Sequence, residues 1–324
     1  MVRFERLRGR PVLVLGRAGM DFYADPPGAR ADAADRFFAC LGGSSGNIAA
    51  GLARQGVGAA ILSSVSDDAV GRFVRGQLQG YGVDTAHLRV VAGEMRTSLA
   101  VTETRLEDTQ TVIYRNDAAD FHMTRDDVEA VDCAGFGALV LTGTALAAQP
   151  SREATLHAMA LARAAGLPVV LDIDYRPYSW PSAGEAAQVY VQAAQAADMV
   201  IGNDEEFDVV AGGTGGQGLA RSLAAEGRVA IYKLGARGSV TYDGERQFAS
   251  GIFPVQAIKP MGAGDSFMAG LLAGLAAGRT LEQSVARGAA SAAIVVRGVG
   301  CAPAMPTTAE LDAFLAANRM TPAA

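Results

Sequence analysis

What most constrains this chain is an alternation. Short aliphatic and β-branched runs at 11–16, 59–65, 138–142, 168–173, 199–202 and 229–234 are separated by Ala-rich stretches, among them 44–55, 151–165 and 186–197. In those stretches the apolar residues recur at helical spacing. The pattern predicts βαβ units, hence an α/β fold with a mainly parallel sheet covered by helices. Two regions, about 17–41 and 91–121, break the rhythm. The first carries the turn signal Asp25-Pro26-Pro27-Gly28, and in the second 97–104 and 109–114 read as strands around Glu107-Asp108. Together they are expected to form a small β lid inserted into one domain spanning 1–324. From Gly262 the chain reads as helical, over 264–277 and 281–296, with Ala, Gly and Ser faces that allow close helix approach.

Composition bounds the function. Half the residues are hydrophobic and only 6% aromatic, as suits a globular chain with tightly packed small residues. A net charge of −6 argues against general attraction to nucleic acid, so any phosphate must be held by local groups. The N-terminal apolar run, 12–15, is too short for a secretion signal, and the longest apolar stretch, 267–278, is too short to cross a bilayer. Cys40, Cys133 and Cys301 are scattered without CxxC spacing, so neither a disulfide framework nor a zinc site is expected. A cytoplasmic protein with reduced thiols follows.

The sharpest local signal is Lys259-Pro260-Met261-Gly262-Ala263-Gly264-Asp265-Ser266-Phe267, a Gly-rich turn running into a helix. Glycines let the backbone approach an anion, and the unpaired amides of a first helical turn point at it with the helix dipole behind them. Asp265, in that turn, can accept the proton of an attacking hydroxyl. A carboxylate there also stabilises a helix N-terminus whatever the function. A second cluster, Gly42-Gly43-Ser44-Ser45-Gly46-Asn47-Ile48-Ala49, again opens a helix. Asn47 can bond sugar hydroxyls as donor and acceptor, or fill an ordinary first turn. Gly16, Asp174, Asn203 and Lys233 each follow the carboxyl end of a predicted strand, the edge where open α/β sheets bind ligands.

The two clusters, in this order and separation, resemble the GGxxxNxA and GAGD motifs of the ribokinase-like (PfkB) sugar kinases over essentially the whole chain. The resemblance implies a Rossmann-type three-layer sandwich with a β lid over the sugar, and it implies ATP and Mg2+ as cofactors. It makes Asp265 the catalytic base and the amides of Gly262, Ala263 and Gly264 the anion hole. Asp21, Gly43 and Asn47 would bind substrate hydroxyls. Asn203-Asp204-Glu205-Glu206 resembles the family's NxxE element, with Asn203 and Glu206 near magnesium through water. Lys233, Gly235 and Gly238 would lie along the nucleotide. Lid-mediated homodimers are common among similar kinases. The family's signature usually begins Asp-Thr, where this chain has Lys259-Pro260, so Lys259 is expected to touch a nucleotide phosphate or the substrate. Ala289 stands where an adenine-side Asn is often found.

Longer strings, Gly16-Arg17-Ala18-Gly19-Met20-Asp21, 97–108, 114–121 and 300–306, resemble the family's 5-dehydro-2-deoxygluconokinases. The string 172–177, which holds Asp174 as a further substrate contact, also resembles the 2-keto-3-deoxygluconate kinases. Both act on sugar acids, which gives Arg17, Arg115 and Arg176 a role in holding a carboxylate. Each could equally be a structural arginine. Two other classes were weighed. Gly213-Thr214-Gly215-Gly216-Gln217-Gly218 is a literal GxGxxG, but it follows a helical stretch rather than a strand and reads as a loop. A non-catalytic sugar-acid sensor is the other, raised by Lys259-Pro260 and opposed by the intact GAGD. His87, His122 and His157 receive no role, and Trp180 is read as core or pocket wall.

Overall fold

A computed structural model describes residues 2–323. Its strands are β1 (Val12–Leu15), β2 (Gly19–Asp25), β3 (Arg36–Gly42), β4 (Ala59–Ser66), β5 (Leu88–Val91), β6 (Leu99–Thr102), β7 (Thr111–Tyr114), β8 (Ala138–Thr142), β9 (Val169–Asp172), β10 (Met199–Asn203), β11 (Val229–Lys233), β12 (Ser239–Asp243) and β13 (Arg246–Ser250). Its helices are α1 (Ser44–Arg54), α2 (Ala69–Gly80), α3 (Arg125–Glu129), α4 (Ser151–Ala164), α5 (Ala183–Ala196), α6 (Asp204–Val210), α7 (Gly216–Ala225), α8 (Ala263–Ala276), α9 (Leu281–Val295) and α10 (Thr308–Ala317).

The large sheet is ordered β13-β12-β11-β10-β9-β8-β1-β4-β5. From β11 to β5 every pairing is parallel, and β12 and β13 fold back antiparallel at one edge. In β1, β8 and β9 every residue is buried, because helices cover both faces. The two faces are read off β1 itself, since successive side chains of a strand alternate. Leu13 and Leu15 pack with residues of α4, α5, α6 and α7, while Val12 and Val14 pack with α1, α2, α8 and α9. The result is the expected three-layer sandwich. The chain moves outward from β1 in both directions, through β4 to β5 and through β8 to β11, so the crevice opens at the carboxyl ends beside β1.

The two irregular regions pair with each other. They make a four-stranded sheet ordered β3-β2-β6-β7, in which β2 runs antiparallel to β3 and parallel to β6. Phe37, Phe38, Val112 and Tyr114 stay exposed on it. The six strands read from the aliphatic runs are present with their ends shifted by a residue or two. β5 and the β12–β13 hairpin were not anticipated, nor were α2, α7 and α10. The GxGxxG reading needs correction in detail: Gly215 is a left-handed helix cap and α7 begins at Gly216, so half of the supposed loop is helical. It still joins two helices rather than a strand to a helix, which is the wrong context for a dinucleotide fingerprint. Among the described residues no helix is long and apolar enough to cross a membrane.

α8 reaches its position by close packing on α9. A Cβ added at Gly270 would stand 2.9 Å from the Arg287 carbonyl oxygen and 2.9 Å from the Ser291 Cβ. Gly270→Ala is therefore expected to push the helices apart and lower the unfolding free energy by about 1–3 kcal/mol, the usual cost of overpacking. Urea denaturation with an unchanged m-value would register it.

Candidate active site

Strand ends and helix starts converge on a cavity of about 450 Å³. Asp172 closes β9, Asn203 closes β10 and Lys233 closes β11, while Asp265 and Asn47 come from the first turns of α8 and α1. The second sheet supplies the opposite wall through Tyr23, Ala100, Thr102, Thr111 and Ile113.

The first turn of α8 is built to receive an anion. Gly262 caps it with φ 82°, and a Cβ there would lie 2.7 Å from the Cys301 sulfur, so only glycine fits. The first helical bond runs from the Ser266 amide to the Gly262 carbonyl, 2.9 Å, leaving the amides of Ala263, Gly264 and Asp265 without an intrahelical acceptor. The Lys233 ammonium stands 3.5 Å from where a Gly264 Cβ would be, adding a mobile positive charge. Beside this hole, Asp265 accepts a 2.8 Å hydrogen bond from Asn47 Nδ2. Burial, reinforced by the charge of Asp174, pushes the Asp265 carboxyl up to about 7, against the Asn47 bond and the charges of Arg176 and Lys233. A carboxyl titrating there is well matched to take a proton from a hydroxyl near neutral pH.

Around it lies an acidic cluster that the sequence reading only half caught. Asp174, in a left-handed conformation at φ 42° that non-glycine residues rarely adopt, pairs with Arg176 at 2.7 Å. Arg176 also faces Glu206 at 3.9 Å, and these carboxylates, Asp174 first, raise its pKa. Asp172 was missed. It is buried, its carboxyl is raised by that burial and by Asp174, Glu206 and Asp265, and Lys233, 4.0 Å away, opposes the shift. The signal was present, since Asp172 ends its strand as Asn203 does. Asn203 and Glu206 form a capping box: each side chain accepts from the other's amide at 2.8 Å. Among the described residues no group of three or more His, Cys, Asp or Glu side chains is spaced to hold a metal ion.

Asp21 and Asn47 are buried in the cavity wall, and Asp21 Oδ1 and Asn47 Oδ1 have no hydrogen-bond partner among the described residues. Two enclosed acceptors without donors indicate a ligand rich in hydroxyls. Burial raises the Asp21 carboxyl, and Arg17 counters it. Gly43 takes φ 83° because a side chain would strike the Arg17 carbonyl. Arg17 donates to Ser98 Oγ at 3.0 Å and pairs with no carboxylate among the described residues.

Two expectations are corrected. Arg115 lines the cavity, but its guanidinium is already bound to Asp120 and the Thr144 carbonyl and lies 3.9 Å over the Phe121 ring, so it braces the wall. Lys259 does not reach the cavity; it is fully buried and bound to backbone carbonyls. Gly235 and Gly238 stand outside this cavity. They shape the β11–β12 turn, where a Cβ on Gly238 would meet the Ser250 carbonyl. Trp180 is core, one of its two expected places, with its ring tilted against that of Tyr190 at 5.3 Å.

Residues 10–308 match the model of the pfkB family carbohydrate kinases. The chain belongs to this family. The kinase is 42% identical to the 5-dehydro-2-deoxygluconokinase of Photobacterium profundum over 97% of its own length and 98% of the relative's. It is 36% identical to the 5-dehydro-2-deoxygluconokinase of Shouchella clausii, with the same two coverages. A fructokinase double mutant of Vibrio cholerae, solved with fructose, ADP and a potassium ion, superposes with a TM-score of 0.84 at 26% identity, covering 94% of this chain and 98% of that one. The kinase is thus a phosphotransferase acting on a carbohydrate hydroxyl.

Two outcomes follow from the base. Asp265→Asn is expected to lower kcat by roughly 10²–10⁴-fold, the usual contribution of a positioned general base, with nucleotide affinity by titration calorimetry retained. Because the carboxyl must be ionised to accept a proton, kcat/KM for the sugar is expected to be flat above about pH 7. Below that it should fall in proportion to the protonated fraction, and Asp265→Asn should abolish that limb of the profile.

Proposed function

We propose that the kinase transfers the γ-phosphoryl group of ATP to the C6 hydroxyl of 5-dehydro-2-deoxy-D-gluconate, a reaction of myo-inositol catabolism. The observation that carries the substrate class is Arg17, a buried guanidinium that makes no salt bridge among the described residues and acts only at longer range on Asp21, whose Oδ1, like that of Asn47, has no donor. In a chain of net charge −6, such a cation is suited to an acid group. The similarity to kinases named for this sugar acid supports the particular substrate.

Asp21 and Asn47 would hold the sugar hydroxyls and Arg17 the carboxylate, presenting the terminal hydroxyl to Asp265. Asp265 takes the hydroxyl proton as that oxygen bonds to the γ-phosphorus and the bond to the bridging oxygen of the departing ADP breaks. Phosphoryl transfer of this kind is governed by position and charge, so the open amides of Ala263, Gly264 and Asp265, with Lys233, would stabilise the charge developing on the phosphoryl oxygens. The donor set also fits Mg2+ carried on the nucleotide. The acids Asp21, Asp172, Asp174, Glu206 and Asp265 outnumber by one the cations Arg17, Arg115, Arg176 and Lys233 that line the cavity with them. Magnesium, when bound, would offset that excess and shield the phosphates, held through water by Glu206 and Asn203.

The test is turnover of MgATP with 5-dehydro-2-deoxygluconate, 2-keto-3-deoxygluconate, ribose and fructose, followed as ADP release with product mass. Preference for the first is the expected result; preference for another sugar would discard the substrate assignment, and binding without turnover would return the sensor reading. Arg17→Gln is expected to raise KM for the sugar acid roughly 10–100-fold, the loss of one charged hydrogen bond, with KM for ATP little changed.

A further inference from the structure

The mechanism leaves one buried charge unused. Lys259 lies on the segment entering α8 with its side chain wholly enclosed. Its ammonium donates to the Met261 carbonyl at 2.7 Å and to the Val295 carbonyl at 3.1 Å, and it forms no ion pair among the described residues. Removing an ammonium from water without a counter-charge is costly, and burial pulls the Lys259 pKa down against the favourable charges of Cys301, Asp265 and Cys40.

The two carbonyls say what the charge does. Val295 is the last residue of α9, so its carbonyl belongs to the negative end of that helix, where a cation is favoured. Met261 immediately precedes Gly262, the left-handed cap of the anion hole. One ammonium therefore fastens the carboxyl end of α9 to the turn whose amides receive the phosphoryl group. The Met261 carbonyl is thereby engaged by the ammonium at 2.7 Å. A small monovalent cation ringed by backbone carbonyls is also how proteins hold potassium, whose hydration shell such oxygens replace.

We propose that Lys259 is a tethered monovalent cation: its ammonium fills a backbone-carbonyl cradle beneath the anion hole and holds it in its phosphate-binding shape. No dissolved potassium or ammonium ion is then needed there. Lys259 is a positioning residue, since it does not line the cavity, and its charge acts on the phosphates from behind the amides through a poorly screening interior.

The experiment is cation rescue. Wild-type rates in potassium, sodium and choline chloride at matched ionic strength are expected to agree. In choline chloride, Lys259→Ala is expected to lose roughly 10–100-fold in kcat/KM for ATP, the scale of one charged hydrogen-bonding group. It should recover most of that as potassium or ammonium is added, and none of it with tetramethylammonium. Its thermal midpoint should rise with the same cations. Lys259→Met, which fills the cradle with an apolar chain, should be impaired and not rescued. Strong potassium stimulation of the wild type would overturn the proposal. So would an Ala variant that is fully active in choline, or one that is folded and impaired but deaf to every cation. Should the Ala variant not fold, normal activity of Lys259→Met would overturn it. ADP affinity, measured without sugar, reports on the cradle independently of which sugar acid the kinase prefers.

Discussion

The site depends on where the first turn of α8 is held. Its amides are useful because no earlier carbonyl can take their hydrogen bonds, and that holds only while Gly262 keeps its left-handed turn against Cys301. The turn is fixed from three sides. α9 packs against α8 through glycine and serine with no room for a methyl group, Ser266 bonds to Ser291 across the same interface, and Lys259 ties the turn to the end of α9. The Asp265 carboxyl belongs to that same first turn, so packing in the helical layer sets its position.

The second determinant is an imbalance of charge. Acids from β9, from α6 and from α8 meet in one cavity, and the Asp172 and Asp265 carboxyls are raised there, by burial first and then by neighbouring acids. Lys233 and Arg176 temper this without cancelling it. Carboxylates crowded in this way favour a bound cation, whose charge would keep a neighbouring carboxyl ionised and able to take a proton.

The βαβ rhythm and the two Gly-rich helix starts were legible because each carries its own period or backbone requirement, and the central strands and α1, α4, α5, α8 and α9 lie within a few residues of expectation. The β12–β13 hairpin escaped although Asp243-Gly244 is a good turn signal, because its alternating Val240, Tyr242 and Phe248 were not weighed against the parallel pattern around them. Asp21, Asn47 and Asp265 were found by motif, and the structure brings them together. What sequence could not show was which charges are already spent. Arg17, Arg115 and Arg176 look alike on paper; only the fold reveals that Arg115 is bound to Asp120 and Arg176 to Asp174 while Arg17 has no such partner among the described residues. Lys259 was misplaced for the same reason, since burial is a property of the tertiary structure.

The two chain crossings into the second sheet have a mechanical meaning. β2 leaves the large sheet through Arg17 and Ala18, and β3 returns to it at Gly43 before α1. These crossings touch: a Cβ on Gly43 would be 2.9 Å from the Ala18 Cα, and the Gly46 amide bonds to the Arg17 carbonyl. At this crossing Asp21 lies on the second-sheet side and Asn47 on the helix side. A sugar bridging those two side chains would join the second sheet to the large sheet's helical layer through the ligand itself.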